Sequence, residues 1–169
     1  MKSMRIMIYI IMIFSFLFES VFSNIVNNHS LLTPLFLLTT LSILYPYFKN
    51  NKTNFVIVSI IWGLLYDIAF TNSPFINTIS FGLSSGLIIL VYNYVSYNIF
   101  SSNFINIINI IFYRTINYLL LCIIDFINFN EFTLLEGIYN SLLVNVIYGV
   151  IIFVIVNLLS KIFNIKRVE

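Results

Sequence analysis

The chain has 169 residues, of which 60% are hydrophobic and only 8% charged, with a mean hydropathy of +1.02. A water-soluble domain carries about 25% charged residues, so this chain cannot build a wet surface and its solvent is lipid. The net charge of +2 is too small to attract nucleic acid, and one cysteine (Cys122) with one histidine (His29) supplies neither an internal disulfide nor a four-ligand zinc site.

A membrane-crossing helix needs about 20 apolar residues, and the sequence divides into six such stretches joined by short polar breaks. The first, 6–26, follows Lys2 and Arg5 and contains Glu19. It is longer than the apolar core of a cleaved leader, about 7–15 residues, and reads as a retained helix. The second, 31–48, places Pro34 in its first turn, where a missing N–H is harmless. A linker with Lys49 and Lys52 leads to the third, 54–70, which ends at the turn-rich Thr71-Asn72-Ser73-Pro74. The fourth covers 75–97 and the fifth 104–124; the acidic stretch Asp125 to Glu136 then precedes the sixth, 137–163. The expected fold class is an all-α polytopic membrane protein with one integral domain and six transmembrane helices.

Lys2, Arg5, Lys49, Lys52, Lys161, Lys166 and Arg167 all fall on one side of such a bundle, and His29, Asn72 and the acidic stretch on the other. The positive-inside rule therefore puts both ends in the cytoplasm. Tyr45 and Tyr47, and then Tyr92, Tyr94 and Tyr97, close two spans as an interfacial aromatic belt would.

Polar residues recur at helical spacing within the spans: Ser15, Glu19 and Ser23; Ser59, Gly63, Asp67 and Thr71; Thr78, Gly82, Ser85 and Gly86; Asn106, Asn109, Tyr113 and Asn117; Gly137, Ser141, Asn145 and Gly149. Lipid offers such side chains no partner, so these stripes face other helices, with Gly82, Gly86 and Asn145 as packing positions. Arg114 lies deep in the fifth span. An unpaired charge there costs on the order of 2.5–3.5 kcal/mol, which predicts pairing with Asp67 or, second, Glu19. No residue pattern calls for catalysis. The only histidine falls in a loop, no HExxH or phosphate-binding glycine loop is present, and Asp67 lacks a second membrane aspartate. No cofactor and no metal is expected.

Thr33-Pro34 at the start of span two, Gly63-Leu64-Leu65-Tyr66-Asp67-Ile68 in span three, Thr71-Asn72, Asn77 and the Gly82-containing span four resemble the rod-shape-determining MreD family. Phe18-Glu19-Ser20, the chain length and the short basic tail are similar too. Many members of that family carry a glycine shortly after the aspartate helix, where this chain has Pro74-Phe75. The resemblance implies a non-catalytic scaffold of the bacterial cytoplasmic membrane that works with MreC, MreB and the RodA/penicillin-binding transpeptidase pair in lateral wall synthesis. It also implies a fold similar to the substrate-binding S components of energy-coupling-factor transporters, which are the alternative reading. S components resemble one another in an alanine-rich first helix, whereas the only alanine here is Ala69, in span three. A structural protein of another envelope or spore pathway is the third reading.

Overall fold

The computed structural model describes residues 2–26, 32–48, 50–71 and 75–163. They form six α-helices and one 3-10 turn, with no strand among the described residues: α1 (Lys2–Val26), α2 (Phe36–Leu44) running into the turn Tyr45–Tyr47, α3 (Lys52–Phe70), α4 (Ile76–Tyr92), α5 (Ile99–Ile123) and α6 (Glu131–Ile162). Four of these, α1, α3, α5 and α6, are long and apolar enough to cross a membrane, and α2 with its turn and α4 are shorter apolar helices. The chain is a multi-pass membrane protein. His29, Asn72, Ser73, Pro74, Lys49, Lys166 and Arg167 lie outside the described residues.

α2 is the axis of the bundle. Every residue from Phe36 to Tyr47 is buried, against α1, α4, α5 and α6, with Tyr45 edge-on to Phe55 of α3. Around it α3 packs on α4, α4 on α5 and α5 on α6. Aromatic contacts close the ring: Phe18 of α1 stacks on Tyr148 of α6, and Phe16 of α1 meets Trp62 and Phe70 of α3. The outer helices follow the rule for a lipid-facing bundle. On α1, Met7, Ile8, Ile11, Met12, Ser15 and Glu19 are buried at helical spacing, while Ile6, Ile10, Phe14, Leu17 and Val21 are exposed.

The helices start in two ways. Asn51, Asn98 and Asn130 each accept a backbone N–H from the first turn of α3, α5 and α6, from Asn54, Ser101 and Phe132. These are local side-chain caps at exposed positions. The residues preceding α2 and α4, Leu35 and Phe75, provide no side-chain cap. The end of the bundle where α2 and α4 begin is called the upper end below; Lys52 and Lys161 mark the lower end.

Several boundaries differ from the sequence reading. Pro34 is not in a first helical turn: it sits in a non-helical segment, 32–35, and α2 starts at Phe36. The segment is held from α6. Asn145 accepts from the Leu35 amide (2.8 Å) and donates to the Thr33 carbonyl (3.2 Å), and the Thr33 amide donates to the Asn140 carbonyl (3.2 Å). α6 begins at Glu131, within the supposed acidic loop, because Asn130 caps it there. α4 ends at Tyr92 rather than 97. Tyr45 and Tyr47 are buried at 1% and 3% exposure, in the core and not in an interfacial belt.

Because α2 has no lipid face, truncating it should behave like a core mutation in a soluble protein. Leu38→Ala is expected to cost about 2–4 kcal/mol. Ile68→Ala, at an exposed site on α3, is expected to cost under about 0.5 kcal/mol. Reversible unfolding of the purified protein in mixed detergent micelles measures both.

Candidate functional site

Two carboxylates are buried in the upper half, and each completes the start of a helix other than its own. Glu19 of α1 reaches the first turn of α2, accepting from the Leu37 amide (2.9 Å) with the Phe36 amide beside it. Its second oxygen accepts from the Tyr66 hydroxyl of α3 (2.8 Å). Asp67 of α3 does the same for α4. One oxygen accepts from the Asn77 amide (3.0 Å) and the Asn77 side-chain amide (2.9 Å), with the Thr71 hydroxyl at 3.3 Å. The other accepts from the Thr78 amide (2.8 Å) and the Thr78 hydroxyl (2.6 Å). The first N–H groups of any helix lack internal partners, and its N-terminus carries roughly half a positive charge. A carboxylate is the strongest acceptor a side chain can place there.

Gly63 makes the second cap possible. A Cβ at this position would lie 2.8 Å from the Asn77 carbonyl oxygen and 2.9 Å from both the Thr78 Cα and the Phe81 Cβ. α3 and α4 therefore cross with backbones in contact, one turn below the point where Asp67 meets the α4 amides. Glycine and aspartate four residues apart act as a unit: one sets the distance and the other uses it. Phe75, just before α4, adopts a left-handed conformation with φ of 70°, which glycine takes readily and other residues take at a cost.

Asn77 joins this cap to α5. Its side-chain oxygen accepts from the Tyr113 hydroxyl and from Asn117 (2.8 Å). Lower down, Ser15, Thr40 and Tyr148 tie α1, α2 and α6 together, with the Ser15 hydroxyl 2.8 Å from each of the other two. Asn109 donates to Ser42 (3.1 Å), and Asn106 donates to the Asn145 carbonyl (3.3 Å).

The structure does not bring Arg114 to Asp67. The guanidinium donates to the Thr33 hydroxyl (2.6 Å), and its Nε is buried without a partner. Asp67 meets neutral donors instead, and Arg114 feels Glu19 only through space. The expectation failed because it counted charges alone, when helix amides were equally able to neutralise the aspartate. Pro34 is buried in the non-helical approach to α2. Gly82 and Gly86 do not share one contact: a Cβ at Gly82 would meet Ile60 of α3 at 3.3 Å, whereas Gly86 faces open space. Asn145 is buried and clamps the 32–35 segment. Tyr66, Asn77 and Asn140 were not singled out as site residues. A signal existed for Asn77 alone, a polar residue just past a Pro-containing break.

Among the described residues, no three His, Cys, Asp or Glu side chains gather where they could hold a metal ion. No family model, curated protein or solved structure matches the chain.

The two caps respond differently to loss of charge. In Asp67→Asn, the new amide must point an N–H at one of two helix amides that cannot turn away, and the expected loss is about 1–3 kcal/mol. In Glu19→Gln, the amide can face the Tyr66 hydroxyl, which turns to accept, so the loss should be smaller. Gly63→Ala should be at least as severe as Asp67→Asn. The exchange Asp67→Arg with Arg114→Asp should be no more stable than either single change, as read by unfolding in mixed micelles.

Proposed function

We propose that the chain is a non-catalytic scaffold of the bacterial cytoplasmic membrane, similar to the MreD family, that helps direct lateral peptidoglycan synthesis together with MreC, MreB and the RodA/penicillin-binding transpeptidase pair. The observation that carries this reading is the use made of Gly63 and Asp67, the residues on which the resemblance turns. A carboxylate has about four lone-pair sites. Those of Asp67 are taken by the amides and side chains of Asn77 and Thr78. Nothing is left over to bind a substrate or relay a proton, which suits an architectural role. The left-handed backbone at Phe75 also gives a physical reason for the glycine that many members of that family carry near this place.

In this reading the lower end, with Lys52 and Lys161, faces the cytoplasm, and the chain crosses six times. The second crossing is composite. Residues 32–35 are non-helical, Phe36–Leu44 helical and Tyr45–Tyr47 a tighter turn.

Depletion of the protein in its native host, with fluorescent labelling of new wall, is the test. Rounding and swelling with loss of lateral insertion is the expected result. Rods that keep their shape while acquiring a vitamin or metal requirement would overturn it in favour of a transporter S component.

A further inference from the structure

The upper end carries an element that the bundle does not use. Tyr113 and Asn117 fix the level of α5 at the first turn of α4, yet α5 continues to Ile123 and α6 starts only at Glu131. Residues 118–136 thus form a hairpin that rises past the start of α4. Its tip is stiffened from within. The Tyr118 hydroxyl accepts from the Asn130 amide (2.7 Å) and lies 2.8 Å from the Thr133 hydroxyl and 3.0 Å from the Asn130 carbonyl oxygen. Asn130 caps α6, and Asp125 makes the turn with a φ of 55°.

This rigid tip exposes large apolar side chains. Phe132 is 82% exposed, and Ile123, Phe126, Phe129 and Leu135 are each more than half exposed. Interleaved with them are Asp125, Glu131 and Glu136, all exposed. Ordered aromatic side chains on a preformed surface are what tight protein contacts are built around.

Three occupants could cover the surface. Counted from Ile99, about 30 Å of α5 is used up by Leu119, so the tip stands at or beyond the lipid headgroups. Three carboxylates there repel an anionic bilayer surface. A second copy in the same membrane brings the same carboxylates to the same height. The cations among the described residues cannot meet them, because Lys2, Arg5, Lys52 and Lys161 lie at the opposite end and Arg114 is turned to Thr33. A different polypeptide remains, with Lys or Arg beside apolar residues, pairing with the carboxylates and stacking cations on the phenylalanines.

We propose that the hairpin 118–136 is a docking surface for the basic, apolar juxtamembrane segment of another protein on the extracytoplasmic side. The inference goes beyond the cell-elongation reading and rests only on its orientation of the chain, so a cell-shape result and a docking result can fail separately.

The test places the photoreactive residue p-benzoylphenylalanine at Phe129 or Phe132 in the full chain, in its native membrane, and sequences the peptide joined on irradiation. The expected product is a segment of another protein with Lys or Arg among apolar residues. Its yield should fall about fivefold in the double variant E131K/E136K, as two weak ion pairs imply, and less in E131Q/E136Q. The same photoreactive residue at lipid-facing Ile68 should give no such product. Lipid adducts alone, a joined peptide from a second copy of this chain, or a yield indifferent to the charge reversal would overturn the proposal.

Discussion

A helix that begins buried among apolar helices must find acceptors for its first N–H groups, because its surroundings supply none and each unsatisfied group costs on the order of 1–3 kcal/mol. Much of this bundle follows from how α2 and α4 meet that demand. α3, α5 and α6 start at exposed asparagines and cap themselves. α2 and α4 borrow carboxylates from the helix before them in the chain, Glu19 and Asp67. Capping from a neighbour makes helix formation and helix packing one event. α4 cannot keep its first turn satisfied unless α3 lies against it at Gly63, and α2 depends on α1 in the same way.

The caps also explain why charge is tolerated in the core without an ion pair. A buried salt bridge must recover the desolvation of two charges. A carboxylate at a helix start has only its own to recover, and it receives charge-assisted hydrogen bonds from groups that had to be satisfied in any case. Asp67 with neutral donors only is therefore a reasonable low-energy arrangement. Arg114 manages differently: it is part-buried, on a long side chain that reaches the Thr33 hydroxyl, within electrostatic range of Glu19.

Lipid as the solvent, the approximate places of the long helices and the polar face of each were legible in the sequence, because apolar length and helical spacing are local properties. Gly63 and Asp67 stood out for the same reason. Their partners did not, since nothing in a single helix says that an aspartate will meet the amides of Asn77 and Thr78 across a tertiary contact. The first-turn rule for Pro34 describes an isolated helix, and here the hydrogen bonds of Asn145 to Thr33 and Leu35 hold the chain out of the helix until Phe36. The start of α6 was readable and was missed: Asn130 before Glu131 is a helix-start signal, and the charges drew attention instead.

The same reasoning connects the interior to the surface. The cap on α4 extends through Asn77 to Tyr113 and Asn117 on α5, and Asn117 directly precedes Tyr118, which fastens the hairpin tip. Tyr113, Asn117 and Tyr118 lie on adjoining turns of a single unbroken helix, so the position of the hairpin is referred to the start of α4 and not left to a loop. A surface meant to meet a partner gains from this, because side chains already ordered lose less entropy on contact. Should the Asp67 cap be weakened, α4 and α5 would lose their shared reference first, and the hairpin would keep its internal fastening while losing its fixed height above the bundle. Stability and docking would then respond to the same buried carboxylate, though it lies well below the surface that a partner touches.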